Sequence, residues 1–284
     1  MTVIALTGST GALGGRVARL LSGEVSRLVV RDPARVPLLA GHRPEVRVAT
    51  YDDPEASVRA LEGVDVLLMV SGAEAPDRRA QHRTFIDAAA RAGVAHLVYT
   101  SFAGASPEAA FTLGRDHADA EAAITESGLA ATILRDNFYA EVLPLFAGED
   151  GAVRGPAGEG RVALVARDDV ADVAAAVLRD PGPHAGATYT LSGPEAVTLA
   201  EATARMGPVL GGSFSYVEES LEEAYASRRR WSQEQWQLDA WVSTYTAIRD
   251  GEVAAVTGDV ERLTGHPART LEEALAPLAG PGPA

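Results

Sequence analysis

Near its start the chain reads Val3-Ile4-Ala5-Leu6-Thr7-Gly8-Ser9-Thr10-Gly11-Ala12-Leu13-Gly14. The apolar run at the front predicts a β-strand, and apolar residues that recur every three to four positions from Leu13 predict a helix. In a strand, glycine-rich turn and helix unit, the free backbone N–H groups of the turn and of the helix start bind a pyrophosphate. The sequence therefore predicts a dinucleotide site made by Gly8, Thr10, Gly11, Ala12, Leu13 and Gly14.

Short apolar runs alternate with helical patterns through the first half of the chain. Strands are predicted over residues 3–6, 27–30, 46–49, 64–70, 95–100 and 131–134, and helices over residues 14–21, 55–61, 78–92 and 116–127. This alternation is typical of a parallel sheet with helices on both faces. We expect an α/β protein with a Rossmann-type, doubly wound parallel sheet and a smaller, mainly helical C-terminal substrate lobe.

The composition changes after Arg135. Residues 144–160 are rich in glycine and proline and predict a loop, whereas residues 161–192 predict a strand, a helix and a second strand that return to the sheet. Residues 195–284 are predicted to be mostly helical. We therefore assign residues 1–136, with the return of residues 161–192, to the nucleotide-binding core, and residues 137–160 and 193–284 to the substrate lobe.

Charge and composition exclude several classes of protein. The formal net charge is -14 and the chain has no cysteine, which argues against nucleic-acid binding and excludes disulfides and cysteine–metal sites. The single tight basic run, residues 228–230, is predicted to be a solvated helix face. No apolar run is long enough to span a membrane, no secretory signal is read, and the histidines lack metal-site spacing. We expect a cytoplasmic protein without a metal.

The residue that ends the second strand of such a fold distinguishes the two dinucleotides. An acid there binds the ribose 2′-OH of NAD, whereas an arginine accommodates the 2′-phosphate of NADP. Arg31 holds this place, and Asp32 before Pro33 is predicted to cap the next helix. The sequence therefore favours NADP(H), with Arg35 as a further contact. Tyr51 and Asp52, after the third strand, are expected to border the adenine.

Several local motifs together give the chain a family resemblance. It resembles the atypical short-chain dehydrogenase/reductases of the NmrA-like group, and within that group the bacterial NADPH-dependent quinone oxidoreductases. The resemblance extends nearly end to end, and its marks are the glycine turn, Val30-Arg31-Asp32-Pro33-Ala34, Ala80-Gln81-His82-Arg83, Val98-Tyr99-Thr100-Ser101, Leu134-Arg135-Asp136-Asn137-Phe138-Tyr139 and Leu263-Thr264-Gly265-His266-Pro267. It implies an NADPH-binding Rossmann lobe, a smaller C-terminal lobe and a substrate cleft between them.

The chain departs from that superfamily in the residues that serve as the general acid of catalysis. Ordinary members use Tyr-x-x-x-Lys, in which the lysine lowers the pKa of the tyrosine. This chain has no lysine, and it reads Glu121-Ala122 where the resemblance implies a lysine in the helix after the fifth strand. Ketone and alcohol chemistry is therefore doubtful. Quinone reduction remains possible, because the quinol anion is stabilised and solvent can protonate it.

Ligands of α/β sheets bind at the carboxyl ends of the strands. The residues expected there to contact the cofactor are Ser71 and Gly72 after the fourth strand, Ser101 after the fifth and Asn137 after the sixth. Candidate catalytic residues are Tyr139, Ser101 and His117, of which the histidine could supply a proton near neutral pH. The alternative for the serines is a capping role, and for His117 a surface or helix-cap position.

Three functions fit these observations. The first is an NADPH-dependent reductase of quinones or related electron-poor carbonyl compounds, with a small aromatic or quinonoid substrate. The second is a non-catalytic NADP-sensing regulator or partner, since some relatives sense redox state. The third is a non-redox dehydratase or cyclase on the same scaffold, because a fold does not fix a function. A homo-oligomer is compatible with all three.

Overall fold

The computed structural model describes residues 2–279. The strands are β1 (Ile4–Leu6), β2 (Val25–Val30), β3 (Glu45–Val48), β4 (Val66–Met69), β5 (His96–Phe102), β6 (Ala131–Asp136), β7 (Ala152–Gly155), β8 (Arg161–Val162), β9 (Thr188–Leu191), β10 (Val197–Thr198) and β11 (Ser215–Glu218). The helices are α1 (Ala12–Leu20), α2 (Pro54–Leu61), α3 (Arg78–Arg91), α4 (Thr112–Ser127), α5 (Arg167–Arg179), α6 (Leu199–Leu210), α7 (Leu221–Arg228), α8 (Gln235–Arg249), α9 (Asp259–Thr264) and α10 (Leu271–Leu275). Within the described range, none of these helices has the length and apolarity that a membrane crossing requires.

Seven strands form one sheet in the order β3-β2-β1-β4-β5-β6-β9. The central strand β1 pairs in parallel with β2 and with β4, so that Leu6 lies beside Leu28 and Leu68. The strand order therefore reverses between β1 and β4, which makes the carboxyl ends of these two strands a topological switch point. The Rossmann-type, doubly wound sheet expected from the sequence is confirmed.

The inner strands are apolar and fully covered. All four residues of β4 and all seven of β5 are buried, as the continuous apolar pattern of a parallel strand requires. On one face of the sheet, Leu67, Met69 and Tyr99 pack with Phe85 of α3. By contrast, every residue of the edge strand β3 is exposed. The core thus fixes the strands that end at the predicted nucleotide site.

The chain divides into two compact units. The first contains the chain up to Phe102, Asp116–Arg135 and Val170–Tyr189, and the second contains Ala103–Arg115, Asp136–Asp169 and the chain from Thr190. This division differs from the predicted one at residues 103–115, 136, 161–169 and 190–192, which group with the second unit. One boundary between the units directly follows β5, and others fall inside the helices α4 and α5. A local sequence pattern does not mark a boundary at such positions.

The second unit contains short strands that the sequence pattern did not reveal. β7 lies inside residues 144–160, predicted as a loop, and pairs in parallel with β11, with Ala152 beside Ser215. Of the first strand predicted within residues 161–192, the structure contains only the two-residue β8, which pairs with β10. Because each strand has its partner far along the chain, no local periodicity could indicate the pairing.

The basic run at residues 228–230 is not a solvated face throughout. Arg228 is buried, and its guanidinium donates to Glu219 at 2.8 Å and to the Arg154 carbonyl at 2.7 Å. The same guanidinium lies 4.9 Å from the centre of the Tyr245 ring. The prediction was wrong for Arg228 because the acidic partner, the carbonyl and the aromatic ring come from three other elements.

The close packing of α1 on the glycine turn yields a stability prediction. A Cβ atom on Gly14 would lie 2.4 Å from the Gly8 carbonyl oxygen, whereas one on Gly23 would meet no atom within 4 Å. We expect Gly14→Ala to lower the free energy of unfolding by about 1–3 kcal/mol through forced backbone movement. Urea unfolding followed by circular dichroism measures this, with Gly23→Ala as the matched control. Equal stability of the two variants would contradict the packing constraint.

Candidate functional site

The turn between β1 and α1 is held tight by its own backbone. Gly8 has φ +65°, a conformation that side chains disfavour, and the Gly11 N–H donates to the Gly8 carbonyl at 2.9 Å. A Cβ on Gly8 would lie 2.7 Å from the Val70 side chain. The turn is therefore fixed between the start of α1 and the end of β4.

The start of α1 has the features of an anion site. Helix α1 begins after Gly11 without any side-chain cap, and Gly11 and Ala12 are exposed. The first N–H groups of a helix have no partner within it and carry a partial positive charge. Nearby, the Ser9 Oγ is buried and has no hydrogen-bond partner among the described residues. These unpaired donors fit the pyrophosphate of a dinucleotide. A Cβ atom on Gly11 would have one protein neighbour within 4 Å, the Gly8 carbonyl oxygen at 3.3 Å, so the space in front of Gly11 is open to a ligand.

Arg31 and Asp32 take different roles at the end of β2. The Asp32 carboxylate accepts from the Ala34 N–H at 2.9 Å and caps the short 3-10 helix Pro33–Arg35, which confirms the capping prediction. Arg31 is exposed, and within residues 2–279 its guanidinium has no hydrogen bond or ion pair. Its fork of donors is thus available for a phosphate. Arg35, the predicted further contact, is exposed as well.

Tyr51 is tied to the sheet rather than left pointing into solvent. Its hydroxyl donates to the Val70 carbonyl at 2.6 Å and lies 2.6 Å from the Thr7 hydroxyl, and its ring stacks on Phe85 with centroids 4.3 Å apart. Burial raises the pKa of this phenol. Asp52 is exposed. The role of these two residues at the adenine stays a prediction.

A buried cation holds the loop that follows β4. The Ser71 N–H donates to the Thr100 hydroxyl at 2.9 Å, and the Gly72 N–H donates to His82 Nε2 at 2.8 Å. The Gly72 carbonyl accepts from Arg78 at 2.9 Å, although Arg78 is only 4% exposed. Ser71 and Gly72 are therefore positioned through backbone contacts with α3 and β5.

His117 belongs to this buried network and does not fit the predicted proton donor. Its Nε2 lies 3.1 Å from an Arg78 nitrogen, and its Nδ1 lies 3.0 Å from the Tyr99 hydroxyl. Because a guanidinium only donates, Nε2 must accept and the imidazole is neutral. Burial and the charge of Arg78 lower the pKa of His117 well below its usual range. The same causes lower the pKa of His82 to about 3.

The hydroxyl of Ser101 is engaged by a carboxylate. It donates to Glu121 at 2.5 Å, and Arg135 in turn donates to both oxygens of Glu121, at 2.9 and 2.6 Å. This fork-to-fork pairing holds the Glu121 carboxylate in place. Since its only hydrogen is used, Ser101 offers lone pairs to a ligand rather than a proton.

Asp136 and Tyr139 form a second carboxylate–hydroxyl pair, at the end of β6. The Tyr139 hydroxyl donates to Asp136 Oδ2, while Asp136 Oδ1 is buried with no partner among the described residues. Burial raises the pKa of Asp136 to about 7 and that of Tyr139 well above its usual range. The Arg167 guanidinium lies 5.0 Å from the centre of the Tyr139 ring.

The side chain of Asn137 is satisfied by backbone. Its Nδ2 donates to the Val253 carbonyl at 2.9 Å, and its Oδ1 accepts from the Phe138 N–H at 2.8 Å. The residue is 2% exposed. These bonds give Asn137 a structural role at the end of β6, and its predicted contact with the cofactor stays untested.

The predicted residues fall into two groups. The glycine turn, Arg31, Tyr51, Asp52, Ser71, Gly72, Ser101 and His117 lie in the first unit, and Asn137 and Tyr139 lie in the second. Sequence reasoning missed Ser9, Arg78 and Asp136. An acidic residue at the end of an apolar strand was a signal for Asp136, but nothing in the sequence distinguishes Arg78 from the other arginines of α3.

Comparisons with known proteins place the chain in a nucleotide-binding family. A family model described as NAD(P)H-binding matches residues 8–181. Quinone oxidoreductase 2 of Escherichia coli is 34% identical over 97% of this chain and 98% of its own length. The NAD(P)H azoreductase of Xenophilus azovorans is 31% identical over 95% of this chain and 96% of its own length.

Solved structures give the same result. The NADPH complex of the E. coli NADPH-dependent quinone oxidoreductase superposes with a TM-score of 0.87 at 33% identity, over 97% of this chain and 99% of that one. The NADP(H) complex of Citrobacter sp. triphenylmethane reductase has a TM-score of 0.84 at 31% identity, with coverage of 97% and 99%. The negative transcriptional regulator Nmra, at 17% identity and a TM-score of 0.75 over 97% of this chain and 94% of that one, shares the fold.

The family and cofactor expected from the sequence are thus confirmed, and the unpaired donors of the glycine turn fit that cofactor. The chain belongs to the NAD(P)H-binding family, together with quinone oxidoreductase 2, and is an NAD(P)H-dependent oxidoreductase.

Proposed function

We propose that the protein reduces quinones or related electron-poor carbonyl compounds with NADPH and without a Tyr-x-x-x-Lys acid. The observation that carries the proposal is the Ser101–Glu121–Arg135 arrangement in a chain that has no lysine. The Ser101 hydroxyl uses its hydrogen on Glu121 and is therefore not a proton donor for a substrate. The relatives that reduce quinones, azo compounds and triphenylmethane dyes support acceptors of this kind.

The residues of the first unit hold the cofactor in this proposal. The N–H groups of Ala12, Leu13 and Gly14 and the Ser9 hydroxyl bind the pyrophosphate, and Arg31 binds the ribose 2′-phosphate. When bound, the reduced nicotinamide supplies a hydride. Ser71, Gly72 and the lone pairs of the Ser101 hydroxyl contact the cofactor at the carboxyl ends of β4 and β5 and hold it in position.

Positioning is the main contribution of the chain to the rate. Hydride addition to a quinone leaves a stabilised phenolate that solvent can protonate, so the acceptor need only be held in the reacting geometry. Tyr139 contacts the acceptor oxygen in this proposal. An unactivated ketone, in contrast, gives an alkoxide that requires a strong acid in the transition state.

Nucleotide preference tests the role of Arg31. Loss of a charge-assisted phosphate contact costs about 1.5–3 kcal/mol, so Arg31→Ala should weaken NADPH binding roughly 10- to 150-fold and leave NADH binding little changed. Calorimetric titration with both nucleotides measures this. The control is Arg43→Ala, which removes an exposed arginine before β3, at the opposite ends of the parallel strands. Equal affinity of the unmodified protein for NADPH and NADH would contradict the assignment.

Substitution at Gly11 separates the phosphate seat from the fold. Gly11 is exposed in extended backbone with φ -98°, so Gly11→Val should fold but block approach of the pyrophosphate. We expect no detectable NADPH binding by calorimetry and an unchanged circular dichroism spectrum. Retained binding in the folded variant would show that the turn does not seat the phosphates.

An acceptor panel tests the chemistry. NADPH oxidation, followed by the absorbance of the reduced nicotinamide, should be fast with quinones and absent with aliphatic ketones. Tyr139→Phe should reduce quinone turnover only modestly, because it removes one hydrogen bond worth about 0.5–1.5 kcal/mol. Fast ketone turnover that Tyr139→Phe abolishes would show a working tyrosine acid. Tight NADPH binding without turnover of any acceptor would favour the NADP-sensing alternative.

A further inference from the structure

The Asp136–Tyr139 pair has an unusual shortage of donors around its carboxylate. Asp136 is 5% exposed and receives one side-chain hydrogen bond, from Tyr139, at Oδ2. Its Oδ1 is buried and unpaired among the described residues. A buried carboxylate is stable when several donors surround it, and an unpaired oxygen costs free energy. The geometry itself therefore favours the neutral form of this carboxyl group more than water does for an exposed aspartate.

The charged groups around the pair do not neutralise Asp136. The Arg167 guanidinium lies over the Tyr139 ring, and the backbone N–H of Arg167 donates to the Glu141 carboxylate at 3.0 Å. Both groups act on the pKa of Tyr139, with Arg167 lowering it and Glu141 raising it. The causes that act on the pKa of Asp136 are burial, Tyr139 and its own backbone N–H. The phenol is therefore the partner that responds when Asp136 gains or loses its proton.

The two protonation states give Tyr139 opposite hydrogen-bonding characters. When Asp136 is ionised, the Tyr139 hydroxyl donates to it and presents only lone pairs to a ligand. When Asp136 is neutral, its Oδ2–H can donate to the Tyr139 oxygen instead. The phenolic hydrogen is then free to donate to a ligand oxygen.

We infer that Asp136 is a positioning residue that sets, through its proton, whether Tyr139 can donate a hydrogen bond to the oxygen of the acceptor. This rests on the proposed function for the identity of the acceptor. A quinone carbonyl only accepts hydrogen bonds, so it binds the form with neutral Asp136. The pKa of Asp136 is raised to about 7, so the neutral form is lost as pH rises through that value.

From pH 6 to pH 8 the KM for a quinone should rise about threefold to tenfold, the equivalent of one neutral hydrogen bond, while kcat changes less. Asp136→Asn should keep the low KM at both pH values, because the amide cannot ionise. Tyr139→Phe should keep the high KM at both, because no hydroxyl is present.

A matched control comes from a second tyrosine–carboxylate pair. Asp239 accepts from the Tyr225 hydroxyl at 2.8 Å but is only half-buried. Asp239→Asn makes the same chemical change at that pair and should leave the pH dependence of KM unchanged. If Asp136→Asn retains the rise in KM, or if Asp239→Asn abolishes it, the inference is overturned.

A measurement without turnover separates this inference from the proposed function. In protein labelled with ¹³C at the aspartate carboxyl, the resonance absent from Asp136→Asn should titrate near pH 7. In the NADP⁺ complex, 1,4-benzoquinone should raise that pKa, because the quinone binds the protonated form. Absence of quinone reduction together with this rise would overturn the proposed activity alone. Titration near pH 4, or a pKa that quinone leaves unchanged, would overturn the inference.

Discussion

The contact between the start of α1 and the Gly8 carbonyl is the constraint on which the rest of the first unit depends. A side chain at Gly14 would have to lie within 2.4 Å of that oxygen, and one at Gly8 within 2.7 Å of Val70. The turn is thus confined on both sides by neighbouring backbone and core. That confinement directs the free N–H groups of α1 to one point, where an anion meets several donors without any side chain having to move.

The repeating features of the fold could be predicted from sequence, because they depend on local pattern. The six strands from β1 to β6 and the cap at Asp32 follow from apolar runs and from an acid before proline. β7 could not be predicted, since its partner β11 lies some sixty residues further along. His117 was misjudged for the same reason, because the cation that keeps it neutral, Arg78, is 39 residues away.

Arginine takes over several tasks in this lysine-free chain. Arg78 bonds a carbonyl and a neutral imidazole from a buried position, whereas Arg135 clamps a carboxylate with two parallel bonds. A guanidinium suits such sites because its donors are spread over a rigid plane and it stays charged when buried. The candidate site is therefore held by directional bonds. The protonation state of a group in this site, such as His117, depends on neighbours that are distant in the sequence and not on its residue type alone.

The buried ion pair of Arg228 and Glu219 restricts which substitutions this sequence can accept during evolution. Loss of either partner would leave an uncompensated charge in the interior, whereas replacement of both by apolar residues can be nearly neutral. The two positions are thus coupled, and substitutions there should be accepted in pairs. Position 154 is under a different restriction, because Arg228 bonds its carbonyl and not its side chain. The Arg154 side chain pairs instead with Asp150, so Arg228 constrains the path of β7 at this position and not its residue type.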